Sequence, residues 1–297
     1  MREVEPDPPA VDTGARTCAK SLAGGLRREV SARNLARANA AGLAHETTRG
    51  SVPSVVYAPS AAGHGNFIEA SYKRILADAA WKARLTKTHT AKRQAGRTGA
   101  EEEVRVWREL DTATSSDALL MNVFCYPGAL GAGVSGARLR GLLGVEGGVR
   151  PEFGFRPMIP RVRGLVDRTE IDMRLGSLLV EAKLTESDFQ TAPMRLVEQY
   201  RDFAEVFEVG ELEVVRGGMR SYQLVRGVLA AAALDGQFCV LCDGRRGDLA
   251  EAWFQVMRAV KSYELRGRLR LVTWQEVAGV VGPKLRGFLG EKYGIGV

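Results

Sequence analysis

Residues 164–184 read GLVDRTEIDMRLGSLLVEAKL, and their apolar period is two. RTEIDMRL and LLVEAKL predict two strands, and Gly176-Ser177 between them predicts a two-residue turn, which together make a β-hairpin. With those residues at the turn, Leu175 faces Leu178, Asp172 faces Glu181 and Glu170 faces Lys183. Alternation puts Glu170, Asp172, Arg174, Leu179, Glu181 and Lys183 on one face of the ribbon. Ile171, Met173, Leu175, Leu178, Val180 and Ala182 take the other. The second set is wholly apolar and must be buried, so the core beneath it fixes the charged set in place.

Directly opposed residues hold their Cβ atoms about 4.5–5.5 Å apart, and two carboxylates at that distance repel. A divalent cation relieves the repulsion. Mg²⁺ is commonly held by one or two carboxylates and several waters, at about 2.0–2.1 Å per oxygen. Lys183, on the same face two residues beyond Glu181, sets a compact cation beside such a site, where it can meet a phosphate oxygen or orient a water. The plainer alternative is a solvated ribbon in which Glu170 and Lys183 form a surface pair of little worth. The like-charge opposition over a clean apolar underside favours the metal site.

Outward from the hairpin the period is helical. NFIEASYKRILADAAWKARL, AEEEVRVWRELDT and SSDALLMNVF predict helices before it, the last capped by Ser115. Residues 125–163 are dense in Gly and Pro and read as loops around one amphipathic segment, ARLRGLL. After the hairpin, MRLVEQYRDFAEVFEV, SYQLVRGVLAAAALD and LAEAWFQVMRAVKSY predict helices, QFCVLC and LRLVTW strands, and QEVAGVVGPKLRGFLGEKYGI a broken helix. Strands alternating with helices argue for an α/β fold. Residues 1–60, rich in Ala, Arg and Gly, with Gly24, Gly25 and Gly42 weakening any helix, read as a mobile arm.

The formal charge is +7, and residues 61–100 alone hold eight Lys and Arg against two acidic residues, so the excess is local. A local positive field is how a protein meets a polyanion. Lys82, Arg84, Lys87, Lys92, Arg93 and Arg97 are the candidate phosphate contacts. The chain thus divides into an arm over 1–60, a basic helical segment over 61–100 and a core over 101–297. The longest apolar run, VLAAAAL at 228–234, falls far short of the ~20 residues of a membrane span. MREVEPDPPA is acidic and Pro-rich, unlike a secretory signal, so the expected setting is cytoplasmic with reduced cysteines.

The hairpin resembles the metal-binding hairpin of the PD-(D/E)XK nuclease superfamily. Asp172 matches the acidic residue of its first half-motif, and Glu181 and Lys183 match its E-x-K; Ile171 stands where the nominal pattern has proline. The likeness is closest to a branch of bacterial restriction endonucleases, with HGNFIEASY, SSDALLMN and YQLVR as accompanying blocks. It implies a restriction-endonuclease-like core, a mixed β-sheet flanked by helices, here with a helical N-terminal extension. It also implies Mg²⁺-dependent DNA hydrolysis, with Mn²⁺ able to substitute, the ion held by Asp172, Glu181 and the Ala182 carbonyl, and products with 5′-phosphate and 3′-hydroxyl ends. The superfamily often adds a glutamate from an early helix, for which Glu103 is the candidate and Glu101 and Glu102 the alternatives. It often adds a polar residue from a helix after the hairpin, for which Gln223 competes with Gln199. A homodimer would suit double-strand cleavage, though no residue demands one.

Other signals carry less. GAGVSG spells G-x-G-x-x-G at Gly131, Gly133 and Gly136 without a strand leading into it, and reads as a loop. Cys239 and Cys242 lie on opposite faces of one strand and read as core thiols, as Trp253 and Trp274 read as core. His45, His64 and His89 pair with no nucleophile. The rival functional readings are a nucleic-acid-binding protein without turnover and an interaction protein whose basic helix meets an acidic partner.

Overall fold

The computed structural model describes residues 13–48, 53–61, 63–87 and 108–296. In chain order the principal elements are helix α1 (Thr13–Ala40), strands β1 (His45–Thr47) and β2 (Val55–Tyr57), and helices α2 (Glu69–Ala77), α3 (Ala79–Arg84), α4 (Ser116–Phe124) and α5 (Val134–Leu143). Strands β3 (Pro151–Phe155), β4 (Ile159–Pro160), β5 (Val166–Asp167), β6 (Ile171–Leu175) and β7 (Leu178–Ala182) follow. The remainder alternates as α6 (Tyr222–Ala233), β8 (Gln237–Cys242), α7 (Gly247–Ala259), β9 (Leu269–Thr273), α8 (Trp274–Val280) and α9 (Pro283–Tyr293).

The central sheet has the order β9-β8-β7-β6-β3. β7, β8 and β9 are parallel, whereas β6 and β3 are antiparallel to their neighbours, so the sheet is mixed as expected. The β6–β7 hairpin keeps the register read from the sequence: Leu175 pairs with Leu178, Arg174 with Leu179 and Met173 with Val180. Gly176 takes φ 58° while Ser177 does not turn left-handed, the pattern of a II′ turn with glycine first.

Both faces of the sheet are covered. Met173, Leu175, Leu178, Val180 and Ala182 join Cys239, Leu241 and side chains of α4, α5, α8 and α9 in one core. Leu179, Phe238, Val240 and Cys242 join α6 and α7 in a second. Ile171 belongs to this second core rather than to the Met173 face, so the strict alternation fails at the first residue of β6. The charged face is therefore roofed by helices instead of lying open to solvent. Cys239 and Cys242 fall in opposite cores, as their odd spacing requires, and both are buried free thiols.

The mobile arm expected over 1–60 is not what the described part of that segment shows. α1 runs 28 residues and packs along α9. Ala23, Leu26, Val30, Asn34 and Ala38 form its buried stripe. Their spacing is helical, but two alanines and an asparagine blunt the apolar signal. The helix expected over 66–85 is two, because Asp78 takes an extended conformation and its carboxylate caps α3 by accepting from the Ala80 and Trp81 N–H groups. MRLVEQYRDFAEVFEV holds only two single-turn helices, Met194–Val197 and Phe203–Val206. No helix among the described residues is long and apolar enough to cross a membrane.

Candidate active site

The site is built where β6 leaves its pairing with β7. Continuing the register past Met173 and Val180 brings Asp172 beside Glu181. Asp172 Oδ2 accepts the Ala182 N–H at 2.7 Å, which ties the carboxylate to the neighbouring strand. Asp172 is half-buried, and Glu181 and Lys183 are only 2% and 5% exposed. Lys183 Nζ lies 2.5 Å from Glu181 Oε1. Its backbone is pinned on both sides: its N–H donates to the Leu241 carbonyl at 2.7 Å, and its carbonyl accepts the Trp274 indole N–H at 2.9 Å.

Charge in this space is out of balance. Burial, then the negative charges of Glu181 and Asp117, push the Asp172 carboxyl well above the ordinary aspartate range, and Lys183 offsets only part of that. Burial opposes the charge on Lys183, yet Glu181, Asp172 and Glu186 outweigh it and hold the ammonium above its usual value. Asp117 was not a sequence candidate. It is the first-turn acid of α4, the helix that Ser115 caps as expected, with its hydroxyl accepting the Ala118 N–H. Ser116 beside it donates to Glu186 Oε1 at 2.6 Å, and Glu186 Oε2 accepts the Leu184 N–H at 2.7 Å, so α4 is fastened to the end of β7. The SSDALLMN block was the available signal. A helix N-terminal acid looks the same whether it serves the dipole or a site.

The candidate phosphate contacts divide. Lys82 is exposed. Arg84 and Lys87 instead turn inward: Arg84 pairs with Asp117 and with Glu170 at 3.1 Å each, and Lys87 reaches Glu109 at 2.9 Å and Asp117 at 3.4 Å. Glu170 therefore faces Arg84, Lys87 and Arg156 rather than Lys183, and these cations pull its carboxyl below the ordinary range against the opposing effect of burial. Lys92, Arg93, Arg97 and Glu103, with Glu101 and Glu102, lie outside the described residues. His64 is a structural histidine, buried and 3.1 Å from Asp111.

α6, which packs on the Leu179 face, brings Arg226 to Glu181, with Gln223 one turn before it. The Gln223 amide oxygen is buried and has no hydrogen-bond partner; its competitor Gln199 is exposed. Arg226 is buried, donates to the Glu170 carbonyl at 2.9 Å and stands 3.9 Å from Glu181. Close approach of α6 depends on Gly227, where a Cβ would fall 2.2 Å from the Phe238 ring on β8.

Among the described residues no three Asp, Glu, His or Cys side chains converge closely enough to cage a metal by themselves. A cation here would need the Asp172 and Glu181 carboxylates supplemented by backbone oxygen and water, which suits the hard, water-retaining Mg²⁺. The crowding of Asp172 by the negative charges of Glu181 and Asp117, only partly offset by Lys183, fits such an occupant.

A mixed sheet that brings the aspartate of one strand against the Glu-x-Lys of the next, under helices on both faces, has the restriction-endonuclease-like architecture. Residues 33–294 match the family described as Restriction Endonuclease associating with ARP, and the chain belongs to that family. No curated protein and no solved structure matches it.

Proposed function

We propose that this protein is a divalent-metal-dependent DNA endonuclease of a defence or restriction role, cutting phosphodiester bonds at the Asp172–Glu181–Lys183 site. The observation that carries the reading is the buried opposition of Asp172 and Glu181, only partly neutralised by Lys183. Family membership supports the nuclease class and DNA as the substrate.

Mg²⁺ would be held by Asp172, Glu181 and the Ala182 carbonyl, and when bound it lowers the pKa of a coordinated water and polarises the scissile phosphate. Lys183, charged and fixed at both ends of its peptide unit, stabilises negative charge developing on the phosphate. The Gln223 carbonyl oxygen accepts a hydrogen bond from the attacking water and so orients its lone pair. Asp117 takes the part that the resemblance assigns to an early-helix glutamate, released from Arg84 and Lys87 as those cations turn to phosphate oxygens. Arg226 fixes Glu181 from below, and Lys82 grips the backbone of the duplex. Products carry 5′-phosphate and 3′-hydroxyl ends.

The test is plasmid nicking with Mg²⁺ by the wild type, Asp172→Ala and Lys183→Ala. Both variants should lose about 10²-fold or more in rate while DNA binding changes less than about twofold. Equal nicking by all three contradicts the reading. Binding without nicking by the wild type would favour the rival in which Arg84 and Lys87 stay paired with Asp117 and Glu170 and no turnover occurs.

A further inference from the structure

The chain does not pass directly from β3 to β6. It makes a small hairpin, β4 and β5, paired Ile159 to Asp167 and Pro160 to Val166. Its base is rigid. Ile159 is buried in the second core, and the Asp167 carboxylate accepts from the Thr169 N–H at 2.8 Å and from the Tyr200 hydroxyl. Arg161 lies over the Tyr200 ring at 5.1 Å, and the Val162 N–H donates to the Gln199 carbonyl at 2.8 Å.

The tip is the opposite. Arg163 (φ 59°, ψ 29°) and Gly164 (φ 70°) form a I′ turn closed by the Leu165 N–H on the Val162 carbonyl. Asn or Gly is the usual first residue of such a turn, and arginine there is strained by about 1–2 kcal/mol. Met158, at the start of the hairpin, is also left-handed at φ 55°. Val162, Leu165 and Val166 are 42%, 58% and 39% exposed, with Arg163 and Arg168 exposed among them. Residues 156–168 hold four arginines against the single, internally bonded Asp167. Asp172 follows five residues after the hairpin.

We infer that this hairpin is a minor-groove wedge: Leu165 and its apolar neighbours enter a base step beside the scissile phosphate while Arg163 lies in the groove. The inference rests on the endonuclease reading and adds to it the element that grips and opens the duplex. Charge complementarity selects nucleic acid as the occupant, because Arg156 and Arg161 are held by Glu170 and Asp167 while Arg163 and Arg168 stand exposed beside the apolar knob, which suits a polyanion. The minor groove follows from the side chains at the tip. Arginine alone can pair with base edges in the major groove, but arginine set among exposed apolar wedges is the combination that unstacks steps from the minor groove. A rigid base and a strained, exposed tip supply the preorganisation that such insertion needs.

The experiment uses the full chain carrying Asp172→Ala, without metal, so the duplex stays intact. The probe is a TA-rich duplex with 2-aminopurine in place of its adenines. Binding should raise the fluorescence about twofold or more, and netropsin, a minor-groove ligand, should compete. Adding Leu165→Ser should abolish the rise, and adding Arg163→Ala should weaken binding about tenfold or more; Phe254→Ser, at an exposed aromatic elsewhere, should change neither. An undiminished rise with Leu165→Ser, or binding indifferent to netropsin, overturns the inference, as would capture of a protein by this tip with no change in DNA binding. The two claims fail separately: fluorescence that rises without wild-type cleavage sinks the nuclease alone, and cleavage untouched by Leu165→Ser without unstacking sinks the wedge alone.

Discussion

At the scale of single residues, Lys183 sets the terms. It is buried beside Glu181 and held charged by the carboxylates of Glu181, Asp172 and Glu186. Removing one partner of a buried ion pair strands the other, at a cost of about 3–5 kcal/mol. Lys183→Met should therefore melt below the wild type, and Mg²⁺ should raise its melting temperature more than it raises the wild type's, because the ion replaces the missing positive charge. Equal Mg²⁺ shifts would count against a metal site here. Asp117→Asn should slow cleavage about tenfold or more while leaving the fold intact, as measured by plasmid nicking and circular dichroism. An unchanged rate would show that Asp117 only anchors Arg84 and Lys87.

At the scale of elements, the hairpin was legible because its two strands alternate cleanly and Gly176 marks the turn; its register, and hence the Asp172–Glu181 opposition, followed from those letters alone. Asp117 and Arg226 were not legible as site residues. They arrive from α4 and α6, and no local pattern tells a site-facing side chain from one serving a helix end or a core edge. α1 was misread because Ala23, Asn34 and Ala38 replace large apolar groups along its stripe, and its partner α9 lies far away in sequence. Both helices carry testable consequences. Gly227→Ala should destabilise by about 1–3 kcal/mol through its clash with Phe238, with cleavage falling as Gln223 and Arg226 are displaced. Asn34→Ala leaves the Tyr57 hydroxyl and the Lys292 amino group without their shared acceptor, and should cost about 1–3 kcal/mol in urea unfolding.

At the scale of the molecule, α1 and α9 close one core over Lys292, which is fully buried between the Tyr57 and Tyr293 rings at 4.8 and 4.9 Å. Burial, then the positive charge of Arg37, lowers its pKa well below the ordinary lysine value, and Glu291 offsets only part of this. A lowered folded-state value means the unfolded chain binds a proton that the native one does not. Stability should thus rise with pH from the depressed value toward the ordinary one near 10. Below about pH 9, ahead of tyrosine ionisation, Lys292→Met should lack the gain in urea resistance with pH that Lys292 gives the wild type; parallel curves would contradict this. The fold class could be read from alternating strands and helices, and the flanking of the sheet by helices from the resemblance; which helices roof the charged strand face could not, since they lie far from it in sequence.

The central claim is that a divalent cation fills the gap between two opposed carboxylates. It is tested most directly by anomalous diffraction from crystals soaked in Mn²⁺. A single strong peak between the Asp172 and Glu181 carboxylates, beside the Ala182 carbonyl and absent from Asp172→Ala crystals, is the predicted result. An empty site at saturating Mn²⁺, with Lys183 still bridging Glu181, would contradict it.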